Sequence, residues 1–300
     1  MYRINSTFFL LISALLLVSD EALSQSLVEM TFDGEERSFI LHKPASYCDE
    51  KSHPLVLVLH GLMQTPERIM RMTNFNEIAD REGFLAVYPV GLKASWNASD
   101  RKNGADDIAF LSGLIDSLGS QYSIDHSRVY VCGFSNGGFM SYKLACELPE
   151  KITAMASVAG TMWRNQEPVC QPDYAVPVLQ IHGTDDMIVG FDGNDHFASS
   201  EEVVKFWKLK NGCTDSGEVE VLLRTDKRGE PLVERVVYGP CLDQSEVVMM
   251  MLHGGGHIWP GSTVPSIFSE FFSEFEASEE IWLFFSRFYR DSSGVIQRSK

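Results

Sequence analysis

The chain has 300 residues, 44% of them hydrophobic, and its 41 acidic against 25 basic side chains give a formal net charge of −16. That is enough apolar material for a sizeable core, and the acidity would repel phosphate backbones, which argues against nucleic-acid binding. Six cysteines, none in a C-x-x-C spacing, give no support to a thioredoxin-like or zinc-ribbon site.

Met1-Tyr2-Arg3 is followed by an apolar run from Phe8 to Val18, with small residues at Ala22 and Ser24. This is the pattern of a secretory signal peptide cleaved after Ser24. The run is too short to span a bilayer, and no later uninterrupted apolar run is long enough to do so. The expectation is a leader over 1–24, one α/β domain over 25–300, no membrane span, and secretion to the periplasm or the exterior. In such a compartment the cysteines are candidates for disulfides.

Val28, Met30 and Phe32 alternate, Asp33-Gly34 is a hairpin turn, and 37–43 returns as the second strand. The continuous apolar run Pro54 to Leu59 predicts a strand buried on both faces, ending in His60-Gly61-Leu62. A helix is expected from Thr65 to Arg81, a strand over 84–88, a polar loop over 91–104 around Trp96, and a helix over 107–118. The run 129–134 predicts a further strand, with a helix following from Phe139 to Leu148. Strands are then read at 152–159 and 174–182, a helix at 200–210, strands at 219–223, 232–238 and 246–252, and a closing amphipathic helix from Phe275 to Arg290. Alternating strands and helices imply a mostly parallel sheet covered by helices on both faces.

The centre of this pattern is Gly133-Phe134-Ser135-Asn136-Gly137. A G-x-S-x-G between a strand and a helix is the context of a nucleophile elbow, where a sharp turn exposes the serine hydroxyl at a helix N-terminus. Side chains at Gly133 or Gly137 would collide with neighbouring chain. A serine hydroxyl needs a general base, and the base needs a third group to fix its tautomer. The chain offers Ser135, then Asp185 or Asp186, then His257, each just after an expected strand, so a parallel sheet brings them to one edge. The backbone N–H groups of Leu62 and Asn136 are the candidate oxyanion donors. Trp96, Phe134, Trp163 and Trp259 are candidates for the wall of an acyl or aromatic pocket. His253 and His257 are separated by three glycines, which disfavour the helix that a shared zinc ion would require. Asp192-Gly193-Asn194-Asp195 lacks the spacing of a calcium loop. No metal and no cofactor are expected.

His60-Gly61, Gly133-Phe134-Ser135-Asn136-Gly137-Gly138, His182-Gly183-Thr184-Asp185-Asp186 and Gly254-Gly255-Gly256-His257-Ile258-Trp259-Pro260-Gly261 together resemble the secreted polyhydroxybutyrate depolymerase and feruloyl esterase family of α/β-hydrolases. The resemblance runs from about Phe39 to Phe285. Asp106-Asp107 with Phe110, and Trp207 with Asn211-Gly212-Cys213, are similar to further landmarks of that family. The resemblance implies an α/β-hydrolase fold and a cofactor-free serine esterase working through an acyl-enzyme. It also assigns the acid to Asp186, leaving Asp185 to cap the turn or face solvent. It implies a Cys213–Cys241 disulfide; Cys146 with Cys170 is a second candidate pair. This chain departs from the family pattern at Asp186-Met187 and Val189-Gly190, where prolines are usual, so the wall beside the acid is expected to differ. No linker or separate substrate-binding domain is legible. The expected partner is therefore a soluble or oligomeric ester of plant-polysaccharide or polyester origin rather than crystalline polymer. An acyltransferase using the same acyl-enzyme, a peptidase on the same fold and a non-catalytic binding protein are the alternatives.

Overall fold

The computed structural model describes residues 27–99, 101–102, 104–214, 217–224, 229–262, 264 and 272–299. The leader expected over 1–24 lies outside them. β1 (Leu27–Phe32) and β2 (Glu35–His42) form the expected hairpin. Asp33 and Gly34 both take positive φ (49° and 78°), as a two-residue primed turn demands.

β3 (His53–Leu59), β4 (Leu85–Pro89), β5 (Ile124–Phe134), β6 (Ala154–Val158), β7 (Val178–Gly183) and β10 (Val247–Leu252) are mutually parallel. β8 (Gly217–Arg224) and β9 (Pro231–Tyr238) extend one edge antiparallel, as β2 and β1 extend the other. The full order is β1-β2-β4-β3-β5-β6-β7-β10-β9-β8. Every residue of β3 is buried, and its side chains divide between two cores: Leu55, Leu57 and Leu59 enter one, Val56 and Val58 the other. This is why the strand reads as an unbroken apolar run.

Helices α3 (Asp107–Gln121), α4 (Asn136–Glu147) and α5 (Ser200–Lys210) cover the first core through Phe110, Met140 and Trp207. On the opposite face lie α1 (Pro66–Thr73), α2 (Phe75–Glu82) and α6 (Ala277–Phe285), with Ile69, Phe75 and Ile281 buried.

Two helix expectations require correction. The helix expected from Thr65 to Arg81 is broken at Asn74, which adopts the left-handed conformation (φ 53°), so α1 ends and α2 begins there. Asparagine is among the few residues that tolerate this conformation. The closing helix stops at Phe285, because 288–290 form the short strand β11 (Phe288–Arg290), paired with β12 (Ile296–Arg298). Tyr130 donates to the Phe288 carbonyl at 2.6 Å and Arg290 to the carbonyl of Ile152 at 2.9 Å. These tertiary bonds override the helical periodicity that continues through the sequence.

Several family landmarks prove architectural. Asp107 pairs with buried Arg37 at 2.6 Å, and that guanidinium lies 3.7 Å above the Phe110 ring centroid. The Asn211 amide donates to the Val176 carbonyl at 2.7 Å, fixing the end of α5 to the approach of β7. Cys213 is bonded to Cys241 and Cys146 to Cys170, while Cys48 and Cys132 are free thiols.

Candidate active site

Ser135 stands where β5 turns into α4, with φ 54° and ψ −116°. A non-glycine residue in this region is strained, and the surroundings hold it there. Its N–H donates to the Val158 carbonyl of β6 at 2.8 Å, and its carbonyl accepts from Phe139 N at 3.1 Å. A Cβ on Gly133 would collide with the backbone of Gly137, and one on Gly137 with the carbonyls of Leu59 and His60. The elbow is therefore accessible only to glycine at both places, as the sequence pattern anticipates.

The acid loop follows β7, and the histidine loop follows β10, its parallel neighbour. Three hydrogen bonds join the loops: Thr184 N to Leu252 O at 3.0 Å, Asp185 N to Gly255 O at 2.9 Å, and Gly254 N to Thr184 Oγ1 at 2.9 Å. So tied, Asp186 Oδ2 meets His257 Nδ1 at 2.8 Å, while Asp186 Oδ1 accepts from the N–H groups of Ile188 (2.8 Å) and Val189 (2.9 Å). Asp185 is exposed and accepts from Thr184 Oγ1, as expected of the residue that does not face the histidine.

Asp186 is buried, which by itself would raise its pKa, but hydrogen bonds from His182 and His257 and from the Val189 amide outweigh burial and hold the carboxyl below the usual carboxylate range. An ionised Asp186 can only accept, so His257 carries its proton on Nδ1 and leaves the Nε2 lone pair free. His257 packs on the elbow through Phe134, the residue before Ser135, whose ring centroid lies 4.9 Å from that of His257. Among the described residues, neither Ser135 Oγ nor His257 Nε2 has a hydrogen-bond partner within the protein.

On the other side of Phe134 is the loop after β3. Gly91 N donates to His60 Nε2 at 3.0 Å, so His60 is an Nδ1–H tautomer donating to the Gly61 carbonyl at 2.8 Å, and burial pushes its pKa down. Gly61 N donates to Gln64 Oε1 at 3.1 Å and Met63 N to Ala94 O at 2.8 Å. Between them the Leu62 N–H has no acceptor among the described residues, and the Asn136 N–H, at the first turn of α4, is equally free. These are the two amides expected to face an oxyanion.

The pocket expectation is corrected for two rings and refined for a third. Trp96 is buried beneath the site: its indole N–H donates to the His60 carbonyl at 2.9 Å and its backbone N–H to Asn136 Oδ1 at 2.7 Å. Trp259 is buried in the opposite core, bonded to Ser278 Oγ at 3.0 Å. Phe134 is also buried, as the support of His257. Trp163 alone remains half-buried, packed on Phe139 and Phe197.

The apolar surface at the site comes from side chains that sequence reasoning missed. Leu62 and Met63 are 58% and 83% exposed, and Met187 and Ile188 are 94% and 70% exposed. They flank the elbow on the loops after β3 and β7, and nothing in a short loop sequence marks such residues as exposed. A cavity of about 480 Å³ lies over the acid loop, lined by Asp186, Met187 and Phe191 among others. A larger one of about 710 Å³ lies between the β1–β2 hairpin and the 92–107 segment, and none of Ser135, Asp186 and His257 lines it.

His253 pairs with Glu234 of β9 rather than with His257, and Asn194 Oδ1 accepts from the N–H groups of His196 and Phe197, a turn-stabilising role.

Fold and elbow define an α/β-hydrolase, and likeness to known proteins narrows the class to carboxylic-ester hydrolases. Residues 37–171 match the family described as Esterase PHB depolymerase. The putative esterase NocK of Nocardia uniformis subsp. tsuyamanensis is 30% identical over 257 residues, covering 79% of this chain and 74% of that protein. Feruloyl esterase D of Neurospora crassa is 27% identical over 277 residues, covering 87% and 85%. The chain belongs to the polyhydroxybutyrate depolymerase and feruloyl esterase-like family of esterases. Two other curated relatives are much longer, and the chain spans 31% and 42% of their lengths. An acetyl xylan esterase from Aspergillus awamori shares the fold at a TM-score of 0.61 and 16% identity, over 87% of this chain and 98% of that one. Among the described residues no helix is long and apolar enough to cross a membrane.

Proposed function

We propose that the chain is a secreted serine esterase, one catalytic domain following a cleaved leader, that hydrolyses soluble esters with apolar or aromatic acyl groups on carbohydrate or hydroxyalkanoate alcohols. Ser135 Oγ attacks the ester carbonyl as its proton passes to His257 Nε2. Asp186 holds the imidazole in the reactive tautomer and stabilises the imidazolium. The carbonyl oxygen, now negative, lies between the Leu62 and Asn136 amides. Collapse breaks the bond to the alcohol oxygen, which takes the proton from His257 and leaves an acyl-enzyme. Water, deprotonated by the same His257, then attacks the acyl carbon; the bond to Ser135 Oγ breaks, the oxygen takes the proton back from His257, and the carboxylic acid departs.

The observation that carries this reading is the 2.8 Å bond from His257 Nδ1 to Asp186 beside a serine held at φ 54°. The acyl preference is supported by Leu62, Met63, Met187 and Ile188, exposed on both sides of the elbow. Met187 occupies a position where the family pattern usually has proline, and methionine adapts its shape to aromatic rings. The names of the related feruloyl esterases point to the same substrate class.

The test is a panel of feruloyl esters, acetylated xylan, short p-nitrophenyl esters and hydroxybutyrate oligomers presented to the purified chain. Turnover of the aromatic esters with higher kcat/KM than acetylated xylan supports the assignment, and absence of ester hydrolysis across the panel refutes it.

A further inference from the structure

The catalytic reading leaves one buried group beside Asp186 without a task. His182, on β7, is buried and presents Nε2 to Asp186 Oδ2 at 3.3 Å and to the Val189 carbonyl at 2.8 Å. Its other nitrogen, Nδ1, lies 2.9 Å from Gln180 Nε2. The orientation of Gln180 follows from its remaining contacts. Its Nε2 also reaches the Gly160 carbonyl at 2.8 Å, which only an amide NH2 can satisfy, and its Oε1 accepts from the Tyr142 hydroxyl. Burial pushes the Tyr142 pKa well up, so this phenol remains a donor. Gln180 therefore donates to His182 Nδ1, and His182 must carry its proton on Nε2. That N–H is shared between Val189 O and the same Asp186 oxygen that receives His257.

We propose that His182 is a positioning residue of the esterase: held by the buried pair Tyr142–Gln180, it fixes Asp186 in register with His257 and shares the carboxylate oxygen that the base requires. This rests on Ser135, Asp186 and His257 acting as proposed above. The network extends to the nucleophile, because the Gly160 carbonyl that Gln180 grips belongs to a turn packed directly on the Ser135 carbonyl. Gln180, Tyr142 and Ser200, whose Oγ lies 3.4 Å from Gln180 Nε2, are fully buried, so an imperfectly satisfied member would be costly.

His182 and His257 are the titratable side chains that contact Asp186 among the described residues; Asp185 and Asp192 on the same loop are exposed to solvent. Removing the His182 N–H gives His257 sole claim on Asp186 Oδ2. The carboxylate then holds the imidazolium more tightly, and the acid limb of the rate profile moves to higher pH. At the same time the carboxylate loses one of its two side-chain anchors and the triad loosens.

The experiment compares His182→Leu, His182→Gln and Tyr142→Phe with the unmodified chain, using p-nitrophenyl acetate across pH and circular dichroism to measure the folded fraction. His182→Leu is expected to lower kcat per folded molecule by about 10- to 100-fold with little change in KM and to move the acid limb upward. His182→Gln, whose Nε2 can occupy the place of the imidazole Nε2, should recover most of the loss. Tyr142→Phe leaves Gln180 Oε1 without its donor and the amide anchored only on the side of the Gly160 carbonyl and His182, and should lower kcat by about three- to tenfold even where His182→Leu folds poorly. The proposal is overturned if all three variants keep the parent kcat and acid limb. It is equally overturned if activity merely tracks the folded fraction with the limb unmoved and no rescue by glutamine. Asp186→Asn and Ser135→Ala, run alongside, separate the two readings: if these retain activity, the catalytic assignment itself falls, whereas their inactivation beside an unaffected His182→Leu sinks only the role of His182.

Discussion

Replacing Asp186 by asparagine keeps the shape of the side chain and changes what it can accept. In the native site Oδ1 receives two backbone N–H groups, from Ile188 and Val189, and Oδ2 receives His257 Nδ1–H at 2.8 Å. An asparagine that keeps its oxygen on the two amides must turn its NH2 toward His257. Donor then faces donor, and the imidazole relieves the clash by moving its proton to Nε2, the nitrogen that in the proposed mechanism takes the proton from Ser135. The opposite flip sets NH2 against two backbone donors and is worse. The variant should therefore fold but hold the wrong tautomer. In a serine protease this change costs about ten-thousandfold in kcat, or roughly 5.5 kcal/mol of transition-state stabilisation. Because His182 Nε2–H also abuts Oδ2 at 3.3 Å, the NH2 meets a second donor there, and no alternative acceptor rescues it. Initial rates with p-nitrophenyl acetate, paired with the melting temperature, measure the effect. Asp185→Asn, at an exposed residue bonded only to Thr184 and to the Gly255 carbonyl, should stay within about threefold of the parent, since surface changes of this kind seldom exceed about 0.5 kcal/mol. An Asp186→Asn chain with more than about a tenth of parental kcat would refute the reasoning, and an inactive Asp185→Asn would move the acid by one residue.

Ser135→Ala should reduce ester turnover by several orders of magnitude and abolish covalent labelling by a fluorophosphonate, with the melting temperature preserved or raised because the strained site loses its hydroxyl and little else. Asp186, whose folded pKa lies below its unfolded value near about 3.9, stabilises the fold above that pH, and the contribution is lost as pH falls through the folded value. Asp186→Asn should accordingly lose stability less steeply than the parent between about pH 4 and 2, and parallel acid-unfolding curves for the two chains would contradict this. Replacing Cys213 and Cys241 by serine opens a loop of sequence separation 28 and should cost about 3.5 kcal/mol in the chain-entropy model. Calorimetry of the double variant would register a fall of roughly 7 to 14 °C, and an unchanged melting temperature would show that the bridge adds nothing.

Much of the fold could be read directly because its parallel strands are buried on both faces. The run from Pro54 to Leu59 has no polar interruption, and an element of that kind fits only between two helical layers. The errors fell where one backbone conformation or one tertiary bond decides the outcome. Nothing in the helical period of 65–81 announces that Asn74 leaves the helix, and nothing in 275–290 says that Arg290 is held by the carbonyls of Pro149 and Ile152, just ahead of β6.

The site divides in the same way. Ser135, Asp186 and His257 could be placed because each follows a strand of one parallel sheet, so sequence alone brings them to one edge. What lies around them depends on side-chain direction, which periodicity does not supply in loops. Trp96 looks like a pocket wall in a polar loop, yet its indole donates to the His60 carbonyl beneath the site, whereas unremarkable Met63 and Met187 stand in the open. The same reason hides His182: within the motif His182-Gly183-Thr184-Asp185-Asp186 it reads as the end of a strand, and its place becomes visible only when Gln180, two residues earlier on the same strand face, is seen to fix its tautomer. In the proposed mechanism the chemistry of this edge is thus written in two registers, with the reacting groups set by topology and their alignment assigned to buried side chains on β7 and α4 that the loop motifs do not contain.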